Sequence, residues 1–123
     1  MRALQVTEFK TAPQLVEVPL PEPSAGEIRV KVAACGLNFA DLLMIKGEYQ
    51  ETPPLPFTLG MEIAGTVDAV GAGVSLKPGQ RVAIFGGQGG LAEYAVAREE
   101  LCVPLPDAMP AATKPGENLH HDY

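Results

Sequence analysis

Few side chains in this 123-residue sequence have the chemistry to bind or react, and they fall into four groups. The first is a glycine run. Gly87-Gln88-Gly89-Gly90-Leu91-Ala92 fits G-x-G-x-x-A behind a predicted strand, and Asp107 stands where a ribose-binding acid would fall. Such a run cradles a pyrophosphate where it opens a helix. Against that, the chain must then pass through Tyr94 and Val96 into a strand carrying Pro104 and Pro106. Proline cannot donate to a central parallel strand. A glycine-rich hairpin loop is the competing reading, and the weight falls on it. The second group is the soft ligands Cys35, Cys102, His120 and His121, which show no C-x-x-C or H-x₃-H spacing. No metal site is expected, and His120-His121 reads as tail or tag remnant. The third is a nucleophile at Cys35, but both histidines lie near the end, so no Cys/His pair assembles. Both cysteines read as inert core thiols. The fourth is the corner from Cys35 to Asp41, where a strand ends in Gly36 and Asn38 opens a helix. Asn38 is either a plain N-cap or an amide that binds a ligand's polar group. Tyr49, just past the helix, is either packing filler or a phenol donor facing a cleft.

The elements that must hold this corner are mostly strands. Arg2–Val6 and Gln14–Val18 are short alternating runs around a bend at Thr11-Ala12-Pro13. Glu27–Ala33 alternates, with Ile28, Val30 and Val32 one way and Arg29 and Lys31 the other, as in a half-buried strand. Asn38–Lys46 breaks that period, with Leu42, Leu43 and Ile45 within two turns and Gly47 placed to end a helix. The prolines of 52–56 make a loop. Ile63–Val70, Arg81–Phe85, Leu91–Val96 and Leu101–Val103 read as further strands, with Gly65 marking a bulge or close approach. About seven short strands between turns predict a barrel or sandwich. Residues 107–123 read as a linker or truncated tail after a domain spanning 1–106.

Composition narrows the function classes. Nine basic and fifteen acidic residues leave a net charge of −6. No Lys/Arg cluster offers a nucleic-acid footprint or an attraction to anionic membranes. No apolar run approaches a membrane span or a secretory core, so a cytoplasmic protein is expected.

The order of four motifs carries a resemblance. Ala34-Cys35-Gly36-Leu37-Asn38-Phe39-Ala40-Asp41 resembles the corner of the medium-chain dehydrogenase/reductase superfamily. Gly60 to Gly71 resembles its G-x-E-x-x-G-x-V-x-x-V-G signature. Lys77-Pro78-Gly79-Gln80-Arg81-Val82 resembles its K-x-G-D-R-V turn, with Gln80 for Asp, and Leu91-Ala92-Glu93-Tyr94 its A-E-Y strand. The resemblance implies a mainly β, GroES-like, partly open barrel with one short helix, in which the glycine loop joins two strands. Zinc-dependent members carry Cys and His where Asn38 and Met61 stand here. The sequence therefore resembles the zinc-free quinone oxidoreductase branch (zeta-crystallin-like), which keeps the corner Asn and often has Tyr at the Leu43 position.

That branch implies NADPH, no zinc, and hydride transfer to a quinone or enone. Positioned hydrogen-bond donors then replace Lewis acidity. Asn38 and Tyr49 are the implied catalytic residues. Asn38 and Asp41 are implied on the cofactor side, with Asp41 helping to hold the corner. The family's Rossmann domain is not visible in the sequence. Lys114 to Leu119 resembles the turn leading into it, so the chain reads as truncated or rearranged there, and inactive alone. Self-association is expected through the face such a domain would cover. The alternative is a GroES-like module kept for binding rather than catalysis.

Overall fold

The computed structural model describes residues 1–106. The element order is β1 (Arg2–Val6), β2 (Gln14–Glu17), β3 (Glu27–Gly36), α1 (Phe39–Lys46), β4 (Phe57–Thr58), β5 (Glu62–Val70), β6 (Arg81–Ile84), β7 (Tyr94–Arg98) and β8 (Cys102–Pro104). A 3₁₀ turn, Glu99–Leu101, precedes β8. All pairings are antiparallel, in a three-stranded sheet β2-β1-β4 and a five-stranded sheet β7-β3-β5-β6-β8. The sheets do not close into a barrel, in keeping with the mainly β, partly open expectation.

Alternation places the core. Ile28, Val30, Val67, Val82 and Ile84 turn inward and are at most 1% exposed. Each such burial contributes about 1.5–3 kcal/mol. The outward residue Arg29 spans the strands instead. Its guanidinium pairs with Asp68 at 2.9 and 3.2 Å, donates to the Pro21 carbonyl at 3.1 Å and lies 5.7 Å from the Tyr94 ring centroid. A second cluster of Val6, Met44, Phe57 and Leu59 seats the helix on the smaller sheet.

Several elements differ from the sequence expectation. β3 runs on to Gly36 because β5 pairs with it as far as Gly36↔Glu62, across an irregularity between Val32 and Ala34. The last long strand begins at Tyr94, not Leu91, because Leu91 and Ala92 turn to β1, while the Glu93 carbonyl still takes the Val32 N–H of β3 at 3.0 Å. Leu4 N–H donates to Leu91 C=O at 2.8 Å, and Ala3 bridges Ala92. β4 lies just past the prolines of 52–56 and was not expected. The glycine loop is no hairpin, since β6 and β7 are separated in the sheet by β5 and β3. Nor does it open a helix, so the dinucleotide fingerprint has no structural counterpart. Asp107, Lys114, His120 and His121, and the tail reading itself, lie outside the described residues.

Candidate functional site

Helix α1 sets the corner. It begins at Asn38, whose φ of −112° and ψ of 163° are extended, and ends at Gly47 with φ 72°. Gly47 and Glu48 donate back to the carbonyls of Met44 and Leu43 at 3.0 and 2.9 Å, closing the helix C-terminus. The Phe9 ring lies against Gly47, where a Cβ would come within 3.0 Å of it.

At the N-terminus, Asn38 and Asp41 form a capping box. The Asp41 carboxylate accepts the Asn38 backbone N–H at 2.9 Å. The other half of the box sets the Asn38 side chain against the Asp41 N–H, which also donates to the Asn38 carbonyl at 3.0 Å. The second carboxylate oxygen of Asp41 accepts the N–H of Gly60 at 3.1 Å. Asp41 is 1% exposed, so it lies beneath the surface that a ligand would touch.

Gly60 is the junction between this corner and the glycine loop. Its carbonyl accepts the Gly90 N–H at 3.0 Å, while Leu59 and Met61 carbonyls accept from Leu91 and Gly87 at 2.8 and 3.1 Å. Its φ of +107° and the Cys35 sulfur beside it leave no room for a Cβ. The Gly60 link to Asp41 spans 19 residues, and it was not foreseen from the sequence.

Tyr49 is half-buried and packs against the cluster around Met44. Its backbone carbonyl accepts the Thr52 hydroxyl at 2.5 Å. The structure does not bring Asn38 and Tyr49 together. They flank a helix of eight residues, about 12 Å long at 1.5 Å per residue. Leu37, Phe39 and Leu42, next to Asn38, are 66, 73 and 53% exposed. They form an apolar surface around the corner.

Cys35 and Cys102 are free and partly buried. Desolvation comes first in pushing both thiols up to about 11, helped at Cys35 by Asp41 and Glu62 and at Cys102 by Glu99. Thiolates are scarce at such values, which suits the inert reading. Cys35 also lines a cleft of about 530 Å³ between the sheets, shared with Leu4, Leu15, Val32 and Leu91. Among the described residues no three His, Cys, Asp or Glu side chains gather to hold a metal. No helix there is long and apolar enough to cross a membrane.

The decisive observation is that the strand–corner–helix–glycine arrangement from β3 onward matches a known domain. The alcohol dehydrogenase GroES-like domain profile matches residues 24–107. The chain belongs to the alcohol dehydrogenase GroES-like domain family. The rat quinone oxidoreductase is 37% identical over 115 residues, covering 89% of this chain and 35% of that protein. The human synaptic vesicle membrane protein VAT-1 homolog is 45% identical over 96 residues, covering 72% of the chain and 23% of the protein. Among solved structures, Escherichia coli quinone oxidoreductase complexed with NADPH superposes with a TM-score of 0.82 at 31% identity, over 89% of this chain and 35% of that one. This GroES-like chain thus spans about a third of the length of the quinone oxidoreductases it matches.

Proposed function

We propose that this GroES-like chain, taken as residues 1–106, is the substrate-side domain of an NADPH-dependent oxidoreductase that reduces a quinone or enone without zinc. The observation that carries the reading is the Asn38 carboxamide at the helix N-terminus, whose NH₂ group is a donor rimmed by the exposed apolar Leu37, Phe39 and Leu42. It is supported by the names of relatives that share 31–37% identity over most of the chain.

Reduced nicotinamide supplies the hydride in such a reaction. The described residues do not fit a pyrophosphate: the glycine loop opens no helix and runs instead through the Ala92 bridge into β7. Holding the cofactor therefore falls to the part of the relatives' length that this chain does not span, and the chain alone is inactive. The chain's own task is to receive the acceptor. The Asn38 amide donates to the acceptor oxygen as negative charge grows there, and the apolar rim excludes water so that this bond strengthens. Tyr49, a helix length away, contacts another part of the acceptor rather than the same oxygen. Asp41, being buried, serves the cofactor side through Asn38. Without a partner domain, the apolar rim drives self-association. A cytoplasmic location accompanies this reading.

The second reading is a GroES-like module kept for binding rather than catalysis. Titration of NADPH into the 123-residue chain, followed by fluorescence with benzoquinone turnover alongside, separates the outcomes. Weak binding without turnover is expected. Micromolar binding with quinone reduction would show a domain complete by itself. In the natural polypeptide carrying this chain, Asn38→Ala should lower kcat/KM for benzoquinone by at least about tenfold. No loss there would leave the binding-module reading.

A further inference from the structure

The segments that meet at the corner carry acids and no bases. No Lys or Arg lies in residues 32–45, 47–76 or 86–93, whereas Asp41, Glu48, Glu51, Glu62, Asp68 and Glu93 do. Asp68 is spent on Arg29, and Glu93 accepts the Arg2 N–H. Glu62 is not spent. It opens β5 as the register partner of Gly36, two residues before Asn38, and its Oε2 lies 3.6 Å from where a Cβ on Gly36 would stand. It is exposed and joins no ion pair among the described residues. Asp41, buried in the first turn of α1, is held by backbone N–H groups and by no cation there. Both carboxylates act on the Cys35 thiol after burial, and both raise it. The base on α1, Lys46, lies at the far end of the helix, about 12 Å from the corner at 1.5 Å per residue.

We propose that Glu62 is a specificity-determining residue: its carboxylate keeps the corner negative and turns away acceptors that carry a permanent negative charge, so that neutral or cationic quinones are preferred to anionic ones. The acceptor rests on the oxidoreductase reading above; the field at the corner does not. Selection by repulsion needs no contact, since an exposed charge acts over about 10 Å at 0.1 M salt. The exposed Leu37, Phe39 and Leu42 offer an uncharged ring a surface but give an anionic substituent no partner. The charge that grows on the reacting oxygen is different, because the Asn38 amide donates to it. Asp41 adds to the same field, but it is tied to the fold through two backbone N–H groups. Glu62 is the one of the two that can be neutralised without cutting a hydrogen bond.

Two readouts test this. In the natural polypeptide with NADPH, kcat/KM for naphthoquinone should exceed that for a naphthoquinone sulfonate by at least about tenfold. Glu62→Gln should shrink that ratio by about fivefold, and the intrinsic reactivities of the two quinones cancel between variant and wild type. Raising NaCl from about 0.02 M to about 1 M should shrink the wild-type ratio as well, with no substitution at all. Independently of turnover, Cys35 reports the field in the 123-residue chain. Relative to free cysteine, a trimethylammonium methanethiosulfonate should label it at least about fivefold faster than the sulfonate reagent of the same length, and Glu62→Gln should narrow the gap. Peptide mass spectrometry separates Cys35 from Cys102. Equal use of the two quinones, a ratio that neither Glu62→Gln nor salt moves, or labelling indifferent to reagent charge would overturn the proposal. A wild-type protein that reduces neither quinone would instead remove the oxidoreductase reading, with the labelling still deciding the field of Glu62.

Discussion

Replacing Gly60 with alanine should be among the most damaging single-methyl changes in this domain. Alanine would have to adopt φ +107°, a conformation costing about 1–3 kcal/mol. Its Cβ would stand 2.6 Å from the Cys35 sulfur, 2.7 Å from the Leu91 nitrogen and 3.0 Å from the Gly90 Cα. Two of those are backbone atoms that cannot swing aside, and forced overpacking adds about 1–3 kcal/mol. Displacing residue 60 also weakens the bond to Asp41, and a poorly served buried acceptor costs about 1–3 kcal/mol more. A total near 4 kcal/mol is a large share of the roughly 5–15 kcal/mol that holds a domain together. At about 4–8 °C per kcal/mol it lowers Tm by at least about 15 °C. Gly73→Ala is the control. Its φ is +80°, but nothing lies within 4 Å of the added carbon, so only backbone strain remains, about 1 kcal/mol. Guanidinium unfolding of both variants measures the difference. Equal losses would refute the packing argument. Adding Cys35→Ala to Gly60→Ala should recover part of the loss, since it removes the sulfur but not Leu91.

Two further outcomes follow from the titrating groups. With its thiol held near 11, Cys35 should react with iodoacetamide at pH 8 about a hundredfold more slowly than a free cysteine, and speed up as pH approaches 11; labelling at the free-thiol rate would contradict its burial. Glu99 is held below its usual value, first by the Ser75 hydroxyl at 2.7 Å and then by the Leu76 and Ser75 N–H groups. Its contribution is present above the unfolded carboxylate value near 4.5 and disappears as pH falls through the lower folded one. Glu99→Gln should therefore destabilise at pH 7 and close the gap to wild type toward acid pH, as read by thermal melts; a gap independent of pH would exclude this clamp.

Where a residue's role depends on near neighbours in sequence, the sequence showed it. Ile28, Val30, Arg29 and Lys31 announce β3 by alternation, and Asn38 with Gly47 brackets the helix within a residue. What escaped depends on distant partners. Residues 91–93 look like strand, yet they form only a bridge at Ala92 between two bends and share their bonds between β1 and β3, and nothing local tells which sheet claims them. The two residues of β4 are too few to carry a period, and prolines precede them. Asn38 was legible as a cap position. That its partner Asp41 also reaches Gly60 was not legible, because that contact is set by how the sheets pack.

The crossing of residues 91–93 onto β1 also bears on how the protein is made. Arg2 N–H meets the Glu93 carboxylate at 2.7 Å across 91 residues of sequence, beside the Leu4–Leu91 bond. On a ribosome adding about 5–20 residues per second, β1 therefore waits roughly 5–20 s for this partner. During that interval β1 can pair with β2, made within the next dozen or so residues, and later at Gln5 and Val6 with β4, but the Arg2–Leu4 end of its other edge stays open to strands of neighbouring nascent chains. Translation speed and chaperone access over this window, rather than final stability, would then set how much of the chain escapes aggregation.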